Sequence, residues 1–428
     1  MPASTALKVL SALQLRILSR NDDDCADRLH YLLAPAVLLS MAGLHGLKQY
    51  FGRPVECWPP AEMAREHWLN YIHGFCFVEN TYFVGFNERF PIRRVDRDHR
   101  QLHFYQWVPF ILMAQALLLI LPKAIWFLFI QKNGFGVSFL FDKMAKIGKA
   151  HGNDISREIT TAEEFAVRIA KDRRDQLCFR RGIQLKVEAE ESKAGDGPKS
   201  TSKNALSMLA WWFNDQKFTF GYFGFKLANL AVVLLQLHLL NSYFGPDDGQ
   251  LSSPWALNAL ANLSAGRESP HFPRVTFCDL LVRPPQRDLK PLRLTFQCLL
   301  NMNTLNEKIF LFVPFALFAL AFVGCLNLAL WLHRCFSWRS AEQFVRDELL
   351  KIKIDDAILT ETDFHEFVKY SLGRDTVTLL HIVNANCPPL TSAKMIGQLW
   401  HYHKKGYIGF KSVRQKIPSQ SPNSVHLI

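Results

Sequence analysis

The residues best placed to do chemistry are cysteines. The chain has nine. Four of them fall as two pairs of similar spacing, Cys57 with Cys76 and Cys278 with Cys298, in two polar stretches far apart in the sequence. Thiols grouped in this way point to disulfides formed in an oxidising compartment, and four cysteines leave three pairings open. Cys25, Cys178 and Cys387 lie in stretches expected to face a reducing compartment, Cys325 lies inside the last apolar block and Cys335 just after it. Asn262-Leu263-Ser264, in the same stretch as Cys278 and Cys298, is an N-glycosylation acceptor triplet.

Other reactive groupings lack partners. His401-Tyr402-His403-Lys404-Lys405 has no acidic or cysteine neighbour at ligand spacing and reads as a basic surface patch. No phosphate-cradling glycine loop, dinucleotide fingerprint or His-Glu-x-x-His motif occurs. The expectation is a protein that is not an enzyme, with no catalytic residue, cofactor or metal. The formal charge of +12 comes without a nucleic-acid-binding motif. Lys and Arg beside anionic lipid account for it, which makes membrane lipids the expected partner and leaves nucleic acid out.

The elements that carry the cysteines follow from hydropathy. Of 428 residues, 49% are hydrophobic and 34 are Phe, yet the mean hydropathy is near zero. The apolar residues must therefore be gathered into blocks. Four blocks approach the about 20 residues that cross a bilayer as a helix: residues 31–47, 104–130, 220–244 and 309–332. No cleavable leader precedes the first, because Asn21-Asp22-Asp23-Asp24 is the reverse of a basic n-region, so that span is expected to be retained as an anchor. Four spans put both termini on one side. The stretches holding the paired cysteines are close to charge balance, so the basic excess falls on the termini and the middle loop, as the positive-inside bias expects of cytoplasmic parts.

The organisation read from this pattern is an N-terminal cytoplasmic segment (1–28), spans at 29–48, 104–130, 218–244 and 309–332, extracellular loops at 49–103 and 245–308, a cytoplasmic loop at 131–217 and a cytoplasmic C-terminal region at 333–428. The fold class is an all-α membrane protein with four transmembrane helices, a small disulfide-linked extracellular α/β domain and a helical cytoplasmic domain. Charged helices are expected over 141–150 and 161–179, a polar low-complexity stretch over 188–203, and helices over 341–354, 363–371, 375–384 and 392–401, followed by a loose tail over 411–428.

Polar residues interrupt the blocks: Gln115, Lys226, Asn229, Gln236, His238 and Asn327. Inside a bilayer such residues face a bundle interior or a wet cavity, commonly as helix–helix hydrogen bonds. Lys123 and Lys226 have stems long enough to snorkel, and Trp107, Trp126 and Trp331 near span ends suit interfacial belts. Pro109 sits near a helix start, whereas Pro122 and Pro314 are interior and expected to kink their helices. The amphipathic segment 3–18 carries Lys8 and Arg16 and suits a helix lying in the membrane interface.

One stretch also carries a resemblance. Tyr105-Gln106-Trp107-Val108-Pro109, preceded by Phe104, is similar to the signature pentapeptide at the start of the second span of the innexins, the gap-junction proteins of invertebrates. Asp24 to Leu29 (DCADRL), Lys48-Gln49-Tyr50, Cys57-Trp58, Asn80-Thr81-Tyr82-Phe83, Phe272 to Asp279 (FPRVTFCD) and Asn306 to Phe312 (NEKIFLF) agree with the same family, in order. Phe77 after Cys76, where the family usually has Trp, and Arg283-Pro284-Pro285-Gln286 depart from it. The resemblance implies a subunit that assembles with itself or with other innexin-like chains, in a ring of about six to eight with eight favoured. Two such rings on apposed cells dock, and ions and small molecules pass passively between cytoplasms. It implies a multi-pass protein at plasma-membrane gap junctions with both termini cytoplasmic. It also implies disulfides pairing Cys57 with Cys298 and Cys76 with Cys278, and an N-terminal pore funnel bearing Lys8 and Arg16. The alternatives are an undocked hemichannel releasing ions or ATP, and a four-span adhesion or scaffold protein without a pore.

Overall fold

The computed structural model describes residues 22–85, 88–132, 164–171, 173–175, 216–244, 257, 260–261, 271–282, 292–352, 361–387 and 389–406. Lys8, Arg16, Cys178, Asn262, the helix expected over 141–150, the stretch 188–203 and the tail lie outside these residues.

Among the described residues, four helices are long and apolar enough to cross a membrane: α1 (Cys25–Phe51), α4 (Val108–Lys132), α5 (Lys217–Phe244) and α6 (Asn301–Phe336). Helix α1 starts where Asp24 Oδ1 accepts a hydrogen bond from the Asp27 amide at 2.9 Å, an N-cap that satisfies one of the amides left over in a first helical turn. Its π-helical turn Leu29–Leu33 stops just before Ala34-Pro35, where proline withholds a donor from the regular ladder. Pro122 and Pro314 lie inside the continuous helices α4 and α6.

The chain divides into two units, Leu29–Leu121 with Leu230–Val323, and Met1–Arg28 with Pro122–Asn229 and Gly324–Ile428. In the first, apolar side chains four residues apart (Leu38 and Ala42, Val108 and Leu112, Ile309, Val313 and Leu317) bury one stripe of each helix. Polar residues join them: Gln236 Nε2 donates to the Gln115 carbonyl at 3.0 Å, and His45 Nε2 meets Asn306 Oδ1 at 2.6 Å. His238 is exposed on its helix.

The same unit holds an antiparallel sheet of β1 (Glu56–Trp58), β2 (Thr81–Tyr82), β3 (Gln101–Leu102), β4 (Val275–Val282) and β5 (Leu292–Leu299), in the order β1-β5-β4-β2-β3. Burial along β4 alternates, with Thr276, Cys278 and Leu280 inward, the period of two that a half-buried strand requires. Helix α2 (Glu66–Glu79) covers this face with Ile72 and Cys76, one turn apart. A short helix α3 (Arg94–Asp98) follows β2.

In the other unit, Trp126, Phe218, Tyr222, Phe225 and Trp331 share one core with the C-terminal helices α7 (Trp338–Lys351), α8 (Glu361–Glu366), α9 (Gly373–Asn386) and α10 (Pro389–Lys404). Residues 164–171 and 173–175 are helical and bury Phe165, Ala166 and Ile169 in the same core. Trp126 and Trp331 are 2% and 1% exposed. The belt expected of them gives way to aromatic packing: Trp126 stacks on Phe225 at 5.6 Å and Tyr222 meets Trp331 edge-on at 4.8 Å. Trp107, 60% exposed, suits the belt.

Gly373 opens α9 with φ +70°, and the Arg173 guanidinium packs against its Cα, filling the space a side chain would take. Gly406 has a similar φ of +73° with nothing within 4 Å of its missing Cβ. Gly406→Ala is expected to cost the about 1–2 kcal/mol of left-handed backbone strain alone. Gly373→Ala is expected to cost clearly more, because Arg173 must also move. Thermal unfolding of the two purified variants checks the order.

Candidate functional site

The buried polar groups and the paired cysteines gather at particular places among the described residues. Two clusters result, one in each unit.

The first is an acidic elbow, Asp22-Asp23-Asp24, continued by Asp27 in the first turn of α1. Lys123 of α4 forms ion pairs with Asp22 and Asp23, and its side chain is 0% exposed. Lys226 of α5 lies 3.0 Å from Asp24 Oδ2 and 2.8 Å from Asp27 Oδ2. Helix α6 adds two donors, Trp331 Nε1 to Asp24 Oδ2 at 2.5 Å and Asn327 Nδ2 to Asp24 Oδ1 at 3.2 Å. Tyr222 donates its hydroxyl to Asp27 Oδ2 at 3.0 Å, and its ring and that of Trp331 lie under the Lys226 ammonium at 4.7 and 5.2 Å. Arg28 Nε reaches Asp23 Oδ1 at 3.3 Å. Both lysines are therefore buried in ion pairs and do not snorkel, which corrects the reading of them as surface-seeking stems. A buried ammonium is tolerated only with this density of partners. Four acids in six residues beside a span, with two lysines inside other spans, was the available signal.

A smaller cluster secures the start of α5. Asp375 of α9 accepts from the amides of Phe218 and Thr219 at 3.1 and 2.9 Å and from the Thr219 hydroxyl at 2.6 Å, so a carboxylate from a distant helix caps this N-terminus. Burial raises the Asp375 carboxyl to about 6, against the lowering pull of the Thr219 and Phe218 donors.

The second main cluster is in the sheet. Disulfides join Cys57 to Cys298 and Cys76 to Cys278. Cys57 stands directly opposite Cys298 in the β1–β5 register. The sulfurs of Cys57, Cys76 and Cys298 lie within 4.8 Å of one another. Oxidised as disulfides, they offer no thiolate to a metal. Beside them Asp279 of β4 accepts from the Tyr82 hydroxyl at 2.9 Å, the Thr295 hydroxyl at 2.8 Å and Arg97 Nη1 at 2.5 Å. Arg97 also donates to the carbonyls of Pro91 and Ile92 at 2.7 and 3.3 Å, which pins that loop. Burial and the bond to Asp279 push the Tyr82 phenol well above its ordinary range.

The pentapeptide buckles the start of α4 onto the end of α2. Tyr105 donates its hydroxyl to the Phe77 carbonyl at 3.2 Å, while Gln106 Nε2 reaches the Phe77 carbonyl, the Val78 carbonyl at 3.3 Å and Asn80 Oδ1 at 3.1 Å. Val108 and Pro109 are buried, and Trp107 turns outward.

Lys226→Met leaves Asp24 and Asp27 without their ammonium and is expected to cost about 3–5 kcal/mol. Arg94→Met, which removes an exposed pair with Asp98, is expected to cost at most about 1 kcal/mol; unfolding of the solubilised variants compares them. Asp375 binds its proton more tightly folded than unfolded, so its stabilising contribution is complete below about pH 4 and lost as pH rises through about 6. Asp375→Asn is expected to flatten the unfolding temperature between pH 5 and 7, which thermal scans at both pH values read directly.

Comparison with known proteins agrees with this geometry. The innexin family model matches residues 23–403. The chain is 30% identical over 389 residues to innexin unc-9 of Caenorhabditis elegans, covering 89% of this chain and 92% of that protein. It is 28% identical to innexin-16 of the same worm, covering 90% of each, and 26% identical to its innexin eat-5, covering 92% of this chain and 90% of that one. With four membrane helices and a disulfide-tied sheet between them in sequence, the chain belongs to the innexin family of gap-junction channel subunits.

Proposed function

We propose that this chain assembles as a ring around an aqueous pore in the plasma membrane, and that rings on apposed cells dock to join their cytoplasms. The observation that carries the reading is the family match over 23–403. Ions and small solutes pass by diffusion, without covalent chemistry or a cofactor. The ring contains about six to eight copies, eight favoured, of this chain alone or with related subunits.

The proposed topology puts the sheet outside the cell and both termini in the cytoplasm. Two facts support it. Disulfides form and persist in an oxidising compartment. The sheet also draws β1, β2 and β3 from between α1 and α4, and β4 and β5 from between α5 and α6, so these two segments share a side. Cys25 and Cys335 are in no disulfide, as a reducing cytosol keeps them. In this reading the elbow sits at the cytoplasmic head of α1, and the segment bearing Lys8 and Arg16, which precedes it in the sequence, is proposed as the pore funnel.

The undocked hemichannel is the second reading, favoured by the acceptor triplet at Asn262: a glycan on a docking face would hold two rings apart. Electrical coupling between paired cells expressing only this chain tests both. Coupling is expected, and Asn262→Gln is expected to leave it unchanged; coupling that appears only in Asn262→Gln would establish the hemichannel instead. Cys57→Ser removes a bond worth about 2–5 kcal/mol in so small an outer domain and is expected to abolish coupling. Dye leak from single cells without coupling in any variant would also favour the hemichannel, and neither leak nor coupling the non-pore alternative.

A further inference from the structure

Helix α9 is fastened at both ends to the feet of membrane helices. At its start Asp375 caps α5, through Phe218 and Thr219. At its end Asn386 uses both arms of its carboxamide on the acidic elbow. Its Nδ2 donates to the Asp23 carbonyl at 2.6 Å and to its own Ile382 carbonyl at 2.9 Å, and its Oδ1 accepts from the Arg28 guanidinium. Arg28 in turn reaches Asp23 Oδ1, and the other Asp23 oxygen holds Lys123. Asp23, Arg28 and Asn386 therefore close a ring at the point where α1 begins. Asn386 contributes little to the packing of α9 itself, which rests on buried Val377, Leu380, Ile382 and Val383. Two residues away, the Ser392 hydroxyl of α10 lies 3.0 Å from Asn384 Oδ1 and 2.9 Å from Glu348 Oε2 of α7, its one hydrogen shared between the two acceptors. The C-terminal helices are thus linked to one another and, through one amide, to the head of the first span.

We infer that Asn386 is a positioning residue for the opening and closing of the channel: its carboxamide clasps the head of α1, and through it the C-terminal helices bias which way that head is held. The inference rests on the channel reading above and adds a regulating contact to it. A contact alters a two-state equilibrium only if it differs between the states. Asn386 meets that requirement if the head of α1 moves, because one partner is a backbone carbonyl and the other a charged side chain, and both bonds depend on their relative position. A charge-assisted bond of this kind shifts an equilibrium by about tenfold when lost.

The test is voltage-clamp recording of the full-length chain expressed alone, with surface level measured in the same cells. Asn386→Ala is expected to shift the open–closed ratio at fixed voltage by about tenfold, with unitary conductance unchanged. Asn386→Asp keeps the acceptor for Arg28 and loses the donor to the Asp23 carbonyl, so a smaller shift in the same direction is expected. Arg28→Ala is expected to shift gating as well, and the double variant Arg28→Ala/Asn386→Ala by no more than the larger single change, since the two share one contact. Wild-type gating in Asn386→Ala at normal surface level, or full additivity with Arg28→Ala, overturns the inference. If Asn386→Ala fails to reach the surface, Asn386→Asp decides: wild-type gating there overturns it. A wild-type chain at the surface that passes no current overturns the channel reading, and the inference with it.

Discussion

The interaction on which this subunit depends is the neutralisation of two buried ammonium groups. An uncompensated buried Lys is costly, and Lys123 and Lys226 both sit in predominantly apolar helices. Both ammonium groups lie against the Asp22–Asp27 elbow. That requirement draws α4 and α5 to the start of α1, and Trp331 and Asn327 bring α6 to the same carboxylates. The elbow also needs the lysines, since its aspartates are buried or nearly so and would repel one another without them. Neither half is stable alone, so the arrangement defines one way of assembling the helices at this level.

The sheet-bearing unit solves a different problem. Its strands come from two segments separated by two spans, and closing so long a loop costs chain entropy. Two disulfides remove much of that cost, and Asp279 adds a polar junction in which Tyr82, Thr295 and Arg97 converge. The pentapeptide then ties α2 to the start of α4 through Tyr105 and Gln106. Within the helices, polar contacts such as Gln236 with Gln115 and His45 with Asn306 act as interhelical hydrogen bonds of about 1–2 kcal/mol or less.

Much of this was legible along the chain. Span number follows from block length, because a bilayer sets a minimum for apolar helices. Oxidation of Cys57, Cys76, Cys278 and Cys298 follows from their placement in polar stretches between spans. The C-terminal helices follow from periodic apolar positions that the structure buries, such as Val345 and Leu349 of α7 or Ile396 and Leu399 of α10. These are local properties, set by composition within a few turns.

What tertiary structure alone decided are the partners. Lys123 and Lys226 look like snorkelling stems in their own sequence windows, because their carboxylates lie about a hundred and two hundred residues away. Trp126 and Trp331 look like belt residues for the same reason: the aromatic rings that bury them belong to other helices. Asp375 reads as an ordinary first-turn acid of α9 until the start of α5 is seen lying on it. Asn386 gives no signal at all, since an asparagine at a helix end is usual. A sequence window reports which residues want to leave water; which charge meets which is decided when separate helices come together in space.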